Sequence, residues 1–357
     1  MTIDHLESPF YKITFSPFGF FSSALGFVFL SGIVAGIVAQ KNEKKPFNQL
    51  VKTFQKRAFT IYKYHIIIYL ILYSIGLYFY FQGIKISSFN SFSLDGPIII
   101  KLLLGALLIN QPRFLDILPM YFWFILMLPL VVKLVKQGKA LLLFIFSGTV
   151  YLLAQYFNSF QLQMDLSKRS YIELGYFDIF AWQFIFILGI ILGMFYEMGS
   201  LHFLKNKKIM IAAAILILFS TMVRRTTLLD LDSGYGLLFS DFVRYGLSDF
   251  GKLKILHFLN FSIFTVLIFN LIQFKFINLS NKWVNLLGQN SLQVFSLHIF
   301  LVYIGIILKE YLKKSILESS FVIIDLLITI LSVFILFLFV HYRFNKTLKV
   351  SLVPNKV

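Results

Sequence analysis

Residues 17–40 read PFGFFSSALGFVFLSGIVAGIVAQ, and this stretch decides the class of fold. It contains no charged residue and ends against the basic run KNEKK at residues 41–45. Its length meets the roughly 20 apolar residues that an α-helix needs to cross a bilayer. Gly32 and Gly36 stand within it at GxxxG spacing, with Ser31 alongside. Small residues at that spacing let two membrane helices approach closely, so close packing is the first reading and a substrate role for Ser31 the second.

Outward from this run the same pattern repeats. Apolar stretches of spanning length recur near 59–82, 115–135, 140–157, 179–199, 208–226, 254–274, 289–308 and 320–342. They predict an all-α polytopic transmembrane bundle with nine complete spans, forming one integral domain over residues 1–357. The composition agrees, with 58% hydrophobic and only 14% charged residues, which excludes an ordinary soluble domain. Cysteine is absent, so disulfides, a thiolate nucleophile and Cys-ligated metal are excluded. The six histidines show no metal-binding motif, and no metal is expected.

The net charge of +17 raises the question of nucleic acid, and the placement of the charges answers it. If nine spans alternate the loops between two sides, one side collects most of the 33 Lys and Arg residues. It carries only Glu43 and Glu197 among the 16 acids, while the other side is balanced. Lys and Arg enrichment marks cytoplasmic loops. The expected arrangement is therefore a multi-pass membrane protein with a cytoplasmic C-terminus, whose partner is the lipid bilayer and not nucleic acid.

Three intervening segments have their own character. Residues 41–65, KNEKKPFNQLVKTFQKRAFTIYKYH, place Phe47, Leu50, Val51 and Phe54 near helical spacing among basic residues, which predicts an interfacial amphipathic helix. Residues 95–121, DGPIIIKLLLGALLINQPRFLDILPMY, carry an apolar run interrupted by Lys101 and predict a re-entrant or surface-lying helix. A mixed-charge segment follows near 224–253, with Arg224, Arg225, Asp230, Asp232, Asp241, Arg244 and Asp249 beside Tyr235 and Phe239. It reads first as a solvated loop and second as a carbohydrate-recognition surface.

Five blocks together resemble the OpgC-type membrane proteins, the succinyltransferase-like branch of the acyltransferase 3 superfamily. They are FGFFSSALGFVFLSGIVAG (18–36), FLDILPMYFWFILMLP (114–129), AWQFIFILGIILG (181–193), DFGKLKILHFLNF (249–261) and LGQNSLQVFSLHIFLVY (287–303). The resemblance covers nearly the whole chain, and the SLQVFSLH block is the most specific part of it. It implies an enzyme that acylates periplasmic glucans. It also implies ten spans, with MTIDH at residues 1–5 corresponding to the last turn of a first helix that is otherwise missing, along with an Arg that the wider superfamily places about three helical turns before the His and on the same face. Where the family carries an acid before FVFLSG, this chain has Leu25.

The chemistry implied is O-acyl transfer, with acyl-CoA as co-substrate, no bound cofactor, and a glucan or other envelope glycan as acceptor. Such a reaction needs a base for the attacking hydroxyl and donors for the developing oxyanion. Histidine suits the first task, and His5 is the candidate base. Asp4 and Asp116 are alternative partners for it, Asp4 only if the helix ends at His5, because adjacent helical positions do not face each other. The substrate-binding candidates are Arg113, Tyr121, Trp182, Gln183, Gln293 and His298, each of which also has an ordinary reading as a polar contact between packed helices. His65 reads as structural. Two other readings stay open: a transporter or flippase for an envelope precursor, and an inactive remnant.

Overall fold

The computed structural model describes residues 1–92, 94, 97–170, 172–229, 249, 251–278, 281–313 and 318–351. Its helices are, in chain order, α1 (Thr2–His5), α2 (Tyr11–Thr14), α3 (Ser23–Lys41), α4 (Phe47–Phe81), α5 (Ile98–Ala106), α6 (Ile117–Lys136) and α7 (Ala140–Tyr156). They continue with α8 (Ser159–Ser170), α9 (Ile179–Glu197), α10 (Lys207–Leu229), α11 (Ile255–Gln273), α12 (Lys282–Gln289), α13 (Ser291–Lys313) and α14 (Glu318–Ser351). Among the described residues there is no strand. The protein is an all-helical, polytopic membrane protein.

Seven of these helices are long and apolar enough to cross a membrane, and α7 with α8 makes an eighth candidate, bent by 55°. All nine expected runs fall on helices. The difference in number lies in α7, which has 17 residues, and in α10, whose ends carry Lys207, Lys208, Arg224 and Arg225. The uncharged part of α10, residues 209–223, is only about 22 Å long at 1.5 Å per residue.

Two compact units divide the chain. One comprises Ser16–His65 and Leu103–Ile277. Its centre is α9, which packs against α3, α6 and α7, while α10 packs along α11. The helix starts cleanly because the Asp178 carboxylate accepts the backbone N–H of Phe180 at 3.0 Å and of Ala181 at 3.4 Å, which satisfies donors that a helix N-terminus leaves open. The expected glycine contact is made, and it is reciprocal. A Cβ on Gly32 or Gly36 of α3 would lie below 3.0 Å from the carbonyl oxygen of Phe186 or Ile190. A Cβ on Gly189 or Gly193 of α9 would do the same to Phe29 or Ile33. Both helices carry GxxxG, and their backbones touch through it.

The other unit comprises Met1–Phe15, Ile66–Leu102 and Asn278–Val357. Here α13 packs against α14, α12 against both, and α1 against both. Tyr69, Tyr73, Phe89, Phe92 and Tyr303 form an aromatic cluster with neighbouring ring centroids 5.3–6.2 Å apart. The described part of the chain thus builds two cores of different character, one on backbone contact and one on rings.

Two local expectations are modified. No separate interfacial helix precedes the second span, because α4 runs unbroken for 35 residues, about 52 Å. Residues 48–75 contain no Gly or Pro to end it. Its buried stripe Leu50, Phe54, Ala58, Ile61 and His65 recurs every three to four residues, the spacing of one helical face, and the fully buried His65 belongs to it. The run near 98–109 becomes α5, nine residues long and too short to span. Ile99, Ile100 and Leu103 are exposed on it while Lys101 is buried. The mixed-charge residues Asp230, Asp232, Tyr235, Phe239, Asp241 and Arg244 lie outside the described residues.

Candidate functional site

The N-terminal segment meets α13 along one helical face. His298, Val302, Gly305 and Lys309 stand at positions i, i+4, i+7 and i+11, so they line one side of α13. At the first of these, His298 Nδ1 shares a hydrogen bond with Thr2 Oγ1 at 3.1 Å. The ring of His5 lies over that of His298 with centroids 5.3 Å apart and planes inclined by 21°. Phe295 flanks His298 at 5.6 Å. Two turns further on, a side chain on Gly305 would strike that of Leu6. At the far end, the Lys309 ammonium donates to the Leu6 carbonyl.

His298 is 3% exposed, and its Nε2 has no hydrogen-bond partner among the described residues. A buried polar atom left in that state costs about 1–3 kcal/mol. His5 is half-buried at the end of α1. The condition set for Asp4 is met in one respect, since the helix does end at His5. The Asp4 carboxylate, however, accepts the Thr14 hydroxyl at 2.6 Å. That bond ties α1 to α2 and fixes the turn between them.

Lys309 and Asp325 were not legible as a pair. Their side chains form an ion pair between α13 and α14, 12% and 11% exposed. Asp325 stands in FVIIDLLITI at residues 321–330, an acid inside an otherwise apolar run. An ionisable residue in a membrane span is a functional candidate by default, and that signal was available in the sequence. What the sequence lacked was the partner, sixteen residues earlier on another helix.

The remaining candidates have the following surroundings. Gln293 is on α13, half-buried. Asp116 immediately precedes α6 in the other unit, where its Oδ2 accepts Tyr176 N–H at 2.9 Å. Burial pushes its carboxyl up to about 6, against the opposing pull of the Tyr176, Asp116 and Ile117 amides and the Arg113 charge. Arg113 is exposed, with its guanidinium 4.8 Å from the Phe114 ring. Tyr121 is buried between Phe27, 5.9 Å away, and Phe186, 6.2 Å away. Trp182 is fully buried and its indole N–H donates to the Gly251 carbonyl at 3.0 Å. The Gln183 amide oxygen accepts the Ser147 hydroxyl at 2.6 Å, and its NH2 donates to the carbonyls of Ser147 and Phe180 at 2.9 and 3.1 Å. Asn260 and His257 also emerge as buried polar residues: the Asn260 oxygen accepts Phe20 N–H at 2.8 Å, and His257 Nδ1 bonds the Phe20 carbonyl. Together they hold the Gly19 turn, whose φ of +99° favours glycine.

Of the predicted site residues, then, His5, Asp4 and His298 come together around the first helical turn of the chain, with Gln293 on the same helix as His298. Arg113, Asp116, Tyr121, Trp182 and Gln183 belong to the unit built on α9. Neither the curated proteins nor the solved structures contain a match to this chain. The model of the family described as OpgC protein matches residues 1–346. With the match running through both helical units and through the His5–His298 pair, the chain belongs to the OpgC protein family.

Proposed function

We propose that the protein is a membrane-bound O-acyltransferase that moves an acyl group, succinyl being the first to test, from acyl-CoA to hydroxyls of a periplasmic glucan or other envelope glycan. The observation that carries the reading is the His5–His298 pair, two imidazoles stacked at 5.3 Å in a chain of this family. In the reaction the glycan oxygen attacks the thioester carbonyl carbon while His5 takes the hydroxyl proton. The tetrahedral intermediate then collapses, the new C–O bond stays, and the C–S bond breaks. The CoA thiolate leaves and recovers the proton from the His5 imidazolium.

In this reading His298 supports the ring of His5, its own orientation set by Thr2. Asp4 acts through Thr14, which holds the end of α1 in place. Among the substrate-binding candidates, Gln293 is the one nearest in sequence to His298. The expected setting is the inner membrane, with donor inside and acceptor outside.

The test uses membrane vesicles carrying the protein, labelled succinyl-CoA or acetyl-CoA, and purified glucan. Label should enter glucan from one donor. Removing a general base costs roughly 100- to 10,000-fold in rate, and His5→Ala should fall in that range with KM for both substrates little changed. Transfer undiminished in His5→Ala would overturn the assignment of the base. No transfer from either donor to any glycan, by protein shown to be folded, would overturn acyl transfer itself.

A further inference from the structure

The face of α13 that carries His298 ends on Lys309, and this residue has two engagements. Its ammonium forms an ion pair with Asp325 of α14 and donates to the carbonyl of Leu6, the residue directly after His5. Leu6 is itself 2% exposed, its side chain pressed to Gly305 of the same face. The segment Thr2–Leu6 is therefore held at both ends, by Thr2 on His298 and by Leu6 on Lys309, with His5 between the two.

Stability alone does not account for a charged pair here. Moving two charges out of water costs several kcal/mol per ion, and replacing a buried pair by apolar side chains of similar size is often neutral or stabilising. Apolar residues would join α13 to α14 equally well in a lipid setting. They would not supply a donor to the Leu6 carbonyl, which at the end of a short helix has no amide of its own turn to bond. The Lys309 ammonium supplies that donor, and an ammonium buried there needs a counter-charge, which Asp325 provides.

We infer that Lys309, charge-balanced by Asp325, is a positioning residue for His5: it clamps the Leu6 carbonyl and so fixes the imidazole over His298. The inference rests on the acyl-transfer reading for its functional meaning, but its geometric content can be measured separately. A displacement of about 1 Å at a reacting group can cost on the order of 100-fold in rate, which sets the size of effect to look for.

The experiment compares the parent with three variants in the same vesicles: Lys309→Met, Lys309→Met combined with Asp325→Leu, and Lys309→Arg. The double variant is the informative one, because it removes both charges and leaves no unpaired ion to unfold the bundle. Two readings are taken: the kinetics of transfer, and the rate at which diethyl pyrocarbonate modifies His5, followed on its peptide by mass spectrometry. The expected result for the double variant is a thermal midpoint equal to or above the parent's. Its kcat should fall roughly 10- to 100-fold with KM within about twofold, and His5 modification should be several-fold faster. Lys309→Arg, which keeps the charge and the donors, should recover most of kcat. A folded double variant with parental kcat and parental His5 reactivity would overturn the inference and leave the pair as a helix tie. If the parent transfers no acyl group while His5 reactivity still rises in the double variant, the acyl-transfer reading fails and the clamp stands. If Lys309→Met unfolds and the double variant does not, the single variant has only exposed an unpaired Asp325, and the double variant still decides.

Discussion

At the scale of single residues, the environment decides what an ionisable group does. Asp116 is the clearest case outside the spans. Its carboxyl is raised by burial from an ordinary value of 3.8 to about 6, so the folded state holds the proton more tightly than the unfolded chain does. The stability linked to that proton is fully present below about pH 4 and is lost as pH rises through about 6. The full swing is of the order of 3 kcal/mol, since each pKa unit corresponds to about 1.4 kcal/mol. Thermal midpoints of the detergent-solubilised protein between pH 4 and 7 should therefore show a declining component. Asp116→Asn, neutral at every pH, should flatten it, and an unchanged slope in that variant would assign the decline to other groups. Asp116, His5 and Asp4 were legible because ionisable residues stand out in apolar text. Lys309 and Asn260 were not legible in this way, because HFLNFSIF and IGIILKEYL carry no sign of the backbone group that either side chain will meet. Phe20 N–H lies 240 positions from Asn260, a separation that no local pattern encodes.

At the scale of elements, far more was legible. Helix existence follows from apolar length, and every expected run became a helix. What length could not give was where one helix stops, so the interfacial segment and the span after it merged into α4 for lack of a Gly or Pro between them. The GxxxG of α3 was readable as a close contact, but its partner was not, since the matching Gly189 and Gly193 fall inside a block that reads equally well as filling. The structure makes that pairing testable. Overpacking a tight interface costs about 1–3 kcal/mol, occasionally more, and here the obstacle is main-chain carbonyl rather than a movable side chain. Gly189→Val should lower the thermal midpoint of the protein by several degrees. Gly26→Ala, on α3 where an added Cβ meets nothing within 4 Å, should leave it unchanged or raise it, because alanine is the better helix former. Equal tolerance of both substitutions would mean that α3 and α9 do not touch through their glycines.

At the scale of the molecule, the distribution of charge and the packing of α10 bear on the same question, the number of crossings. By its uncharged length alone α10 is short of the roughly 30 Å of a hydrocarbon core, with Lys207 and Lys208 at one end and Arg224 and Arg225 at the other. Yet α10 packs along α11, which is long and apolar enough to cross. Lys and Arg can bury their stems while their charges reach the headgroups, which extends a short apolar stretch at both ends. A crossing α10 places the segment before it and the segment after α11 on the same side of the membrane, together with the basic loop at 41–46, and puts residues 157–178 on the opposite side. A non-crossing α10 separates the first two. The chain has no cysteine, so single cysteines report position without background. Lys205→Cys and Lys275→Cys should both be blocked by a membrane-impermeant maleimide only when the cytoplasmic face of the vesicle is outward, with Lys139→Cys as the matching control. Gln161→Cys should react only in vesicles of the opposite orientation. Labelling of Lys205→Cys and Lys275→Cys from opposite faces would remove α10 from the set of spans, and with it the alternation on which the cytoplasmic placement of the C-terminus depends.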